Sequence, residues 1–294
     1  MEKMLVGAPE GPPATAVAFK SAMRAQWDAA AAGWNTHTPK IREWLGPATD
    51  AMLAMAGVAA GARVLDVAAG AGDQTLAIAE RVGPQGFVLA TDLSPVIVAL
   101  ASENAAQAGY ASVQARVADG EDLQVEAASF DAAVSRLGLM FFPDPLRGLR
   151  EMHRALRPGG GACTMVFSSP EKNPCLTILM STALKHAGLP PRDPYSPGGV
   201  LSLGRPGLTD ELFRSAGFQD VATTAMPAPF RLASVDSYLD FIRSSASPIQ
   251  AILSRLPPPA AEDAWAEIKD RLSVFSNPQG WAGPNELLLT VGFR

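Results

Sequence analysis

Asp66 stands just ahead of two closely spaced glycines in the stretch Arg63 to Thr75, RVLDVAAGAGDQT. Val64, Leu65 and Val67 make a short apolar run around it, and after Gly70 and Gly72 apolar residues resume at helical spacing in Leu76-Ala77-Ile78-Ala79. The spacing predicts a strand, a glycine turn and a helix. Glycines at such a turn let the backbone approach a ligand closely and leave the amides of the helix start facing it. A dinucleotide site places G-x-G-x-x-G directly after the strand, whereas this run reads D-x-A-x-G-x-G. An acid in that place repels a pyrophosphate. It suits a ligand that carries an ammonium group and no phosphates.

Further residues with chemical potential follow at the ends of later predicted strands. Asp92 comes roughly twenty residues after the glycines and has two acceptor oxygens, enough to hold a sugar diol. Asp119-Gly120-Glu121-Asp122 ends a third strand and Arg136 follows a fourth. Arg136 could fix an anionic group on a substrate, or form a structural salt bridge with Asp144 or Asp73; both readings stay open. Gly138 to Phe142 then supplies Met140 and Phe141, which suit an apolar or aromatic ligand, with plain core packing as the rival explanation.

Three histidines are available to act as a base. His153, among Arg150, Arg154 and Arg157, fits a solvated helix face, and His186 fits the end of a helix, where positive charge suits the dipole. His37, in the polar stretch Gly33 to Thr38, is the catalytic candidate, with an ordinary loop histidine as the alternative. Paired acids with an Asn, as a divalent metal would need, are not evident, so no metal is expected.

The elements that must position these residues alternate. Ala-rich sequence from Thr15 to Ala32 favours a helix, and a second runs from about Pro39 to Ala56. Trp27, Trp34 and Trp44 on these helices could wall a pocket or simply fill a core. Strands are expected at Gly86 to Thr91, Ser112 to Ala118, Phe130 to Ser135 and Thr164 to Phe167, with a helix capped by Ser94-Pro95 and another from Pro145 to Leu156 closed by Pro158-Gly159-Gly160. Alternation of this kind implies a doubly wound, mostly parallel sheet, whose ligands bind at the carboxyl ends of its strands. Beyond Ser168 come a helix over Asn173 to Ala187, a Pro- and Gly-rich loop at Leu189 to Gly199, a helix ending at Gly217, and a strand over Phe218 to Thr224. Residues 233 to 282 read as a helical insertion before a last strand, Leu287 to Phe293. Three parts are expected: residues 1–60 as tail and cap helices, with 1–13 a mobile tail; 61–168 as the ligand-binding core; and 169–294 as the remainder of the same domain.

Composition narrows the function. The 294 residues are 48% hydrophobic and 18% charged, enough for one large domain with a sizeable core. A net charge of -5 without a Lys and Arg cluster argues against nucleic acid and anionic membranes as partners. Cys163 and Cys175 stand alone, which indicates two buried thiols rather than a disulfide framework or zinc site. No stretch is long and apolar enough to span a bilayer, and the first residues lack the apolar core of a secretion signal, so a cytoplasmic location is expected. Oligomeric state is not legible.

Asp66 to Gly72, Asp92, Asp119-Gly120 and Arg157-Pro158-Gly159-Gly160, in this order, resemble the class I S-adenosylmethionine-dependent methyltransferases. Ala68, standing where that family's first glycine falls, makes the ubiquinone/menaquinone-biosynthesis C-methyltransferase-like group the nearest flavour. The resemblance covers positions 60 to 168. It implies a Rossmann-like seven-stranded sheet with an antiparallel last strand, N-terminal helices over the ligand and a helical lid. It implies S-adenosylmethionine as cofactor, with Asp66 drawing the methionyl ammonium, Ala68, Gly70 and Gly72 lying along the cofactor, and Asp92 on the ribose. Leu93 would pack on the adenine, Asp119 and Gly120 would meet its polar edge, and Ser135 would lie near the methionyl part. His37 and Arg136 are then the catalytic candidates, and Trp34, Met140 and Phe141 would face a small apolar or aromatic acceptor. Carbon, oxygen and nitrogen acceptors all remain open. Two alternatives stand beside this one: a nicotinamide-dependent oxidoreductase, which the glycine pattern disfavours, and a cofactor-binding regulator without turnover.

Overall fold

The computed structural model describes residues 14–245 and 247–294; the expected tail at 1–13 lies outside them. In chain order the elements are α1 (Ala14–Thr36), α2 (Thr38–Met55), β1 (Arg63–Val67), α3 (Asp73–Val82), β2 (Phe87–Asp92), α4 (Pro95–Gln107), β3 (Val113–Val117), β4 (Phe130–Arg136), α5 (Pro145–Ala155), β5 (Leu156–Phe167), α6 (Pro174–His186), α7 (Leu208–Ser215) and β6 (Gln219–Pro227). They continue through β7 (Phe230–Leu232), α8 (Val235–Ser245), α9 (Ser247–Leu253), α10 (Pro258–Leu272), β8 (Ser276–Asn277), β9 (Gly280–Gly283) and β10 (Glu286–Phe293).

The main sheet has seven strands in the order β3-β2-β1-β4-β5-β10-β6. β1 pairs in parallel with both β2 and β4, while β10 runs antiparallel to its neighbours β5 and β6. The sheet is therefore Rossmann-like, doubly wound and mostly parallel, with an antiparallel last strand. Helices cover both faces, so the central strands read as near-continuous apolar runs: Val64, Leu65 and Val67 of β1 and Ala132, Ala133 and Val134 of β4 are buried. Burying each larger aliphatic side chain among them stabilises the fold by about 1.5–3 kcal/mol. Strand order reverses between β1 and β4. In open α/β sheets that reversal opens a crevice at the carboxyl ends of the strands.

Three expectations change. The polar stretch Gly33 to Thr38 is almost wholly helical, and only His37 remains as an elbow between α1 and α2. Gly33 makes this possible: a Cβ there would collide with the Ser244 carbonyl of α8, so the helix carries glycine to pass that close. Thr36 Oγ1 donates to Ala32 O at 2.9 Å, and Pro39 presets the first turn of α2. Second, Arg157-Pro158-Gly159-Gly160 lies inside β5, and α5 ends earlier, at Ala155. Gly159 N and Arg294 N donate to Arg294 O and Gly160 O, so the chain end draws this segment into extended form. Third, the insertion is not purely helical: β7, β9 and β8 form a separate small sheet beside α8, α9 and α10. Trp281 of β9 anchors it, fully buried, with Nε1 donating to Leu272 O at 2.8 Å.

Candidate active site

A cavity of about 310 Å³ opens at the β1/β4 reversal and runs beneath α1 and α2 toward α6, α8 and α9. Its floor is the turn after β1. There Ala68 (φ 55°) and, at the end of neighbouring β4, Leu137 (φ 57°) both sit in the left-handed region that side chains normally avoid. Strain of this kind costs on the order of 1–2 kcal/mol per residue and gathers at functional sites. Gly72 (φ 92°) begins α3 and lies against Ala101 of α4, where a Cβ would come within 3.2 Å of the Cα. No side chain caps that helix start, so its first amides are free for an anionic group.

Asp92 ends β2 and lines the cavity. Its oxygens accept from Gly70 N at 3.1 Å and Ser94 N at 3.0 Å, which fixes the carboxylate yet leaves lone pairs for a ligand's hydroxyls. Burial pushes its carboxyl above the usual range, against those amide bonds. Ser94 caps α4 by accepting from Ile97 N, and its hydroxyl donates to Asp28, tying α1 to the rim. Asp66 lies one layer deeper. It is fully buried, absent from the cavity lining, and accepts from Thr75 Oγ1 at 2.7 Å and from Gln74 Nε2. Burial raises its carboxyl to about 6, opposed by the bonds from Thr75 and Gln74. It thus holds Gln74, which does line the cavity.

Asp119 and Gly120, which the resemblance places at the adenine's polar edge, line the cavity together with Glu121. Asp119 Oδ1 accepts from Glu121 N at 2.9 Å. Lys20 of α1 reaches across to both acids, 2.6 Å from Asp119 Oδ2. Burial works against its charge, but the hydrogen bonds and charge of the two carboxylates outweigh it and raise its pKa.

The other half of the cavity is aromatic. Phe141 meets Trp27 edge-on (5.3 Å between centroids), Trp27 meets Trp34 (6.2 Å), Trp34 meets Phe241 (5.7 Å), Phe241 meets Phe230 (5.2 Å) and Phe230 meets Tyr238 (6.0 Å). All six rings line the cavity, as does Trp44, stacked on Phe230 at 4.5 Å. Met140 joins them at the turn after β4. Arg136 also lines it, but its guanidinium is engaged: it donates to Thr49 Oγ1 at 2.9 Å and to Asp73 Oδ2 at 2.7 Å. Of the two ion pairs the sequence left open, the one with Asp73 forms; Asp144 instead caps α5.

The structure thus gathers Trp34, Ala68, Gly70, Asp92, Leu93, Asp119, Gly120, Arg136, Met140 and Phe141 around one space. Asp66, Gly72, Ser135 and His37 are not in its lining. Ser135 is fully buried under Gly138 with its hydroxyl unpartnered. His37 is engaged elsewhere: its Nε2 lies 2.7 Å from Ser244 Oγ, and its ring meets Phe241 edge-on at 5.1 Å. Burial lowers its pKa. Among the described residues no metal-holding cluster is found. Both cysteines are buried thiols with pKa pushed up to about 12 by burial, which keeps them protonated. Sequence reasoning missed Lys20, Phe230, Tyr238 and Phe241. They lie far apart along the chain in elements without a motif, and only the packing of α1, β7 and α8 around the cavity brings them together.

The strand order β3-β2-β1-β4-β5-β10-β6, the uncapped glycine turn and the acid ending β2 make the chain similar to the class I S-adenosylmethionine-dependent methyltransferases, and the similarity is concentrated in residues 64–160. That segment matches the family model described as a methyltransferase domain. Over 113 residues the chain is 36% identical to the ubiquinone/menaquinone biosynthesis C-methyltransferase UbiE of Geotalea daltonii, a match covering 38% of this chain and 48% of that one. The chain thus spans about half the length of this curated relative. Among solved structures, the YcgJ protein of Bacillus subtilis superposes with a TM-score of 0.54 at 20% identity, covering 84% of this chain and 97% of that one. The [4+2]-cyclase SpnF gives 0.54 at 19% identity, covering 90% and 95%. The fold is shared by proteins of different chemistry, so the reaction has to be argued from the site.

Proposed function

We propose that this protein transfers a methyl group from S-adenosylmethionine to a small apolar or aromatic acceptor. The observation that carries this is the single cavity joining a cofactor turn to an unbroken aromatic wall. The cofactor half fits the group: Asp92 offers acceptor oxygens to a ribose diol, Leu93 an apolar surface and Asp119 an acceptor to the adenine edge, while the free amides opening α3 suit the methionyl carboxylate. Asp66 acts from beneath, holding Gln74 and Thr75 so that the turn keeps its shape. When bound, the sulfonium supplies an electrophilic methyl group for in-line displacement.

The chain's own residues chiefly bring two reactants together and exclude water, which alone can lower such a barrier by several kcal/mol. The titratable groups bordering the acceptor half are Asp73, Arg136 and Tyr238; Asp73 is paired with both Arg136 and Arg42. No histidine lines the cavity among the described residues. The acceptor atom therefore attacks without a histidine base, as an electron-rich ring carbon, an amine or an oxygen already ionised. Arg136 holds the floor between Asp73 and Thr49, and His37 serves as a joint between α1, α2 and α8.

The test is incubation with methyl-labelled S-adenosylmethionine and a panel of hydroquinones, naphthols and aromatic amines, with product followed by mass spectrometry. Label transfer to one of them supports the reading. Binding of S-adenosylhomocysteine with no transfer to any aromatic acceptor would overturn it in favour of a non-catalytic role.

A further inference from the structure

The α8 end of the aromatic wall carries a hydroxyl that no described residue bonds. Tyr238 of α8 is 3% exposed and lines the cavity, yet no described residue accepts from or donates to its hydroxyl. Its ring is fixed by stacking on Trp281 (4.4 Å) and by the edge of Phe230 (6.0 Å), so the hydroxyl keeps one direction. Unlike the enclosed, unpartnered hydroxyls of Ser135 and Thr164, it is left to be bonded from the cavity side. The wall between Phe141, beside the cofactor turn, and Tyr238 consists of apolar ring contacts, so this hydroxyl is the polar landmark at the end away from the methyl donor.

Resting on the methyltransferase reading, we propose that Tyr238 is a specificity-determining residue that donates a hydrogen bond to a carbonyl or ether oxygen at the end of the acceptor remote from the methylated atom. The acceptor class is then an elongated, mostly apolar molecule with an oxygen at its far end, rather than a bare hydrocarbon ring or a compact polar metabolite. Burial keeps the phenol protonated, its pKa well above the ordinary value, so it serves as donor and not as base. Asn285 also lines the cavity and spends its amide nitrogen on Gly283 O, 3.3 Å away, which leaves its carbonyl oxygen as the complementary acceptor if the ligand oxygen is a hydroxyl.

The experiment uses the full chain saturated with S-adenosylhomocysteine and two non-reactive probes of like shape, 1-tetralone and tetralin, titrated by quenching of the wall tryptophans. Wild type should bind tetralone about five-fold tighter than tetralin, as one neutral hydrogen bond allows. Tyr238→Phe should bind tetralin as wild type does and lose the preference for tetralone. Equal binding of the two probes by wild type, or a preference retained in Tyr238→Phe, would overturn the assignment whatever the variant's stability. Absence of S-adenosylhomocysteine binding in wild type would instead overturn the reading beneath it, so the two failures are separable.

Discussion

The buried Asp66 makes a stability prediction that its neighbours sharpen. Its carboxyl has an ordinary value of 3.8 and is raised to about 6 in the fold, chiefly by burial. Below 3.8 it is protonated in folded and unfolded chains alike and favours neither. As pH rises toward 6 the unfolded chain ionises first, so the folded state binds more protons and loses stability with increasing pH. Above about 6 the penalty is complete. At 1.36 kcal/mol per tenfold change in proton affinity, the gap comes to roughly 3 kcal/mol. Asp66→Asn keeps the shape and still accepts from one of Gln74 or Thr75, but carries no proton equilibrium. Urea unfolding of both proteins at intervals from pH 4 to 7.5 isolates the effect, since every other titrating group is common to the pair. The difference in unfolding free energy should shift in favour of Asp66→Asn by roughly 2.5 kcal/mol across that range, the rest of the gap lying below pH 4. Parallel profiles would refute the reasoning, because they would mean that Asp66 ionises as freely in the fold as in the unfolded chain.

Four further outcomes are expected. Asp92→Ala should weaken S-adenosylhomocysteine binding by about 1–3 kcal/mol, roughly 5- to 150-fold, measured by calorimetry. Ala68→Gly should relieve the left-handed strain and raise stability by up to about 1 kcal/mol, seen as a shifted denaturant midpoint at unchanged slope. Gly33→Ala should destabilise by about 1–3 kcal/mol, since the new methyl meets the Ser244 carbonyl backbone and α1 must part from α8. Lys20→Met removes the cation between Asp119 and Glu121, and should speed proteolytic cutting within α1 several-fold while the sheet stays folded, as followed by mass mapping.

What could be read from the chain alone follows from locality. The turn after β1, the acid ending β2 and the Ser94-Pro95 start of α4 each announce themselves within about a dozen residues, because strand, glycine and cap signals are short-range. Those features, the parallel core and the antiparallel β10 stand as expected. His37 failed to reach the cavity because the polar stretch around it is helix up to a single-residue elbow, and its partner, Ser244, lies some two hundred positions away. Asp66 is expected from sequence to draw a ligand's ammonium group, and what the sequence does not show is that Thr75 and Gln74 in the first turn of α3 donate to its oxygens. The strands β7, β8 and β9 are too short for a periodicity signal, and Trp281 marks them only once the contacts are known. The aromatic wall has no sequence signature at all. Its rings come from α1, the turn after β4, β7 and α8, and no spacing along the chain connects them.

Most of that wall lies outside the segment that matches the methyltransferase domain: Phe141 falls within it, whereas Trp27, Trp34, Phe230, Tyr238 and Phe241 do not. On the proposed function, the cofactor turn and the aromatic wall therefore come from different stretches of polypeptide. A hybrid with a borrowed central segment should then keep the ligand preference that the outer stretches set.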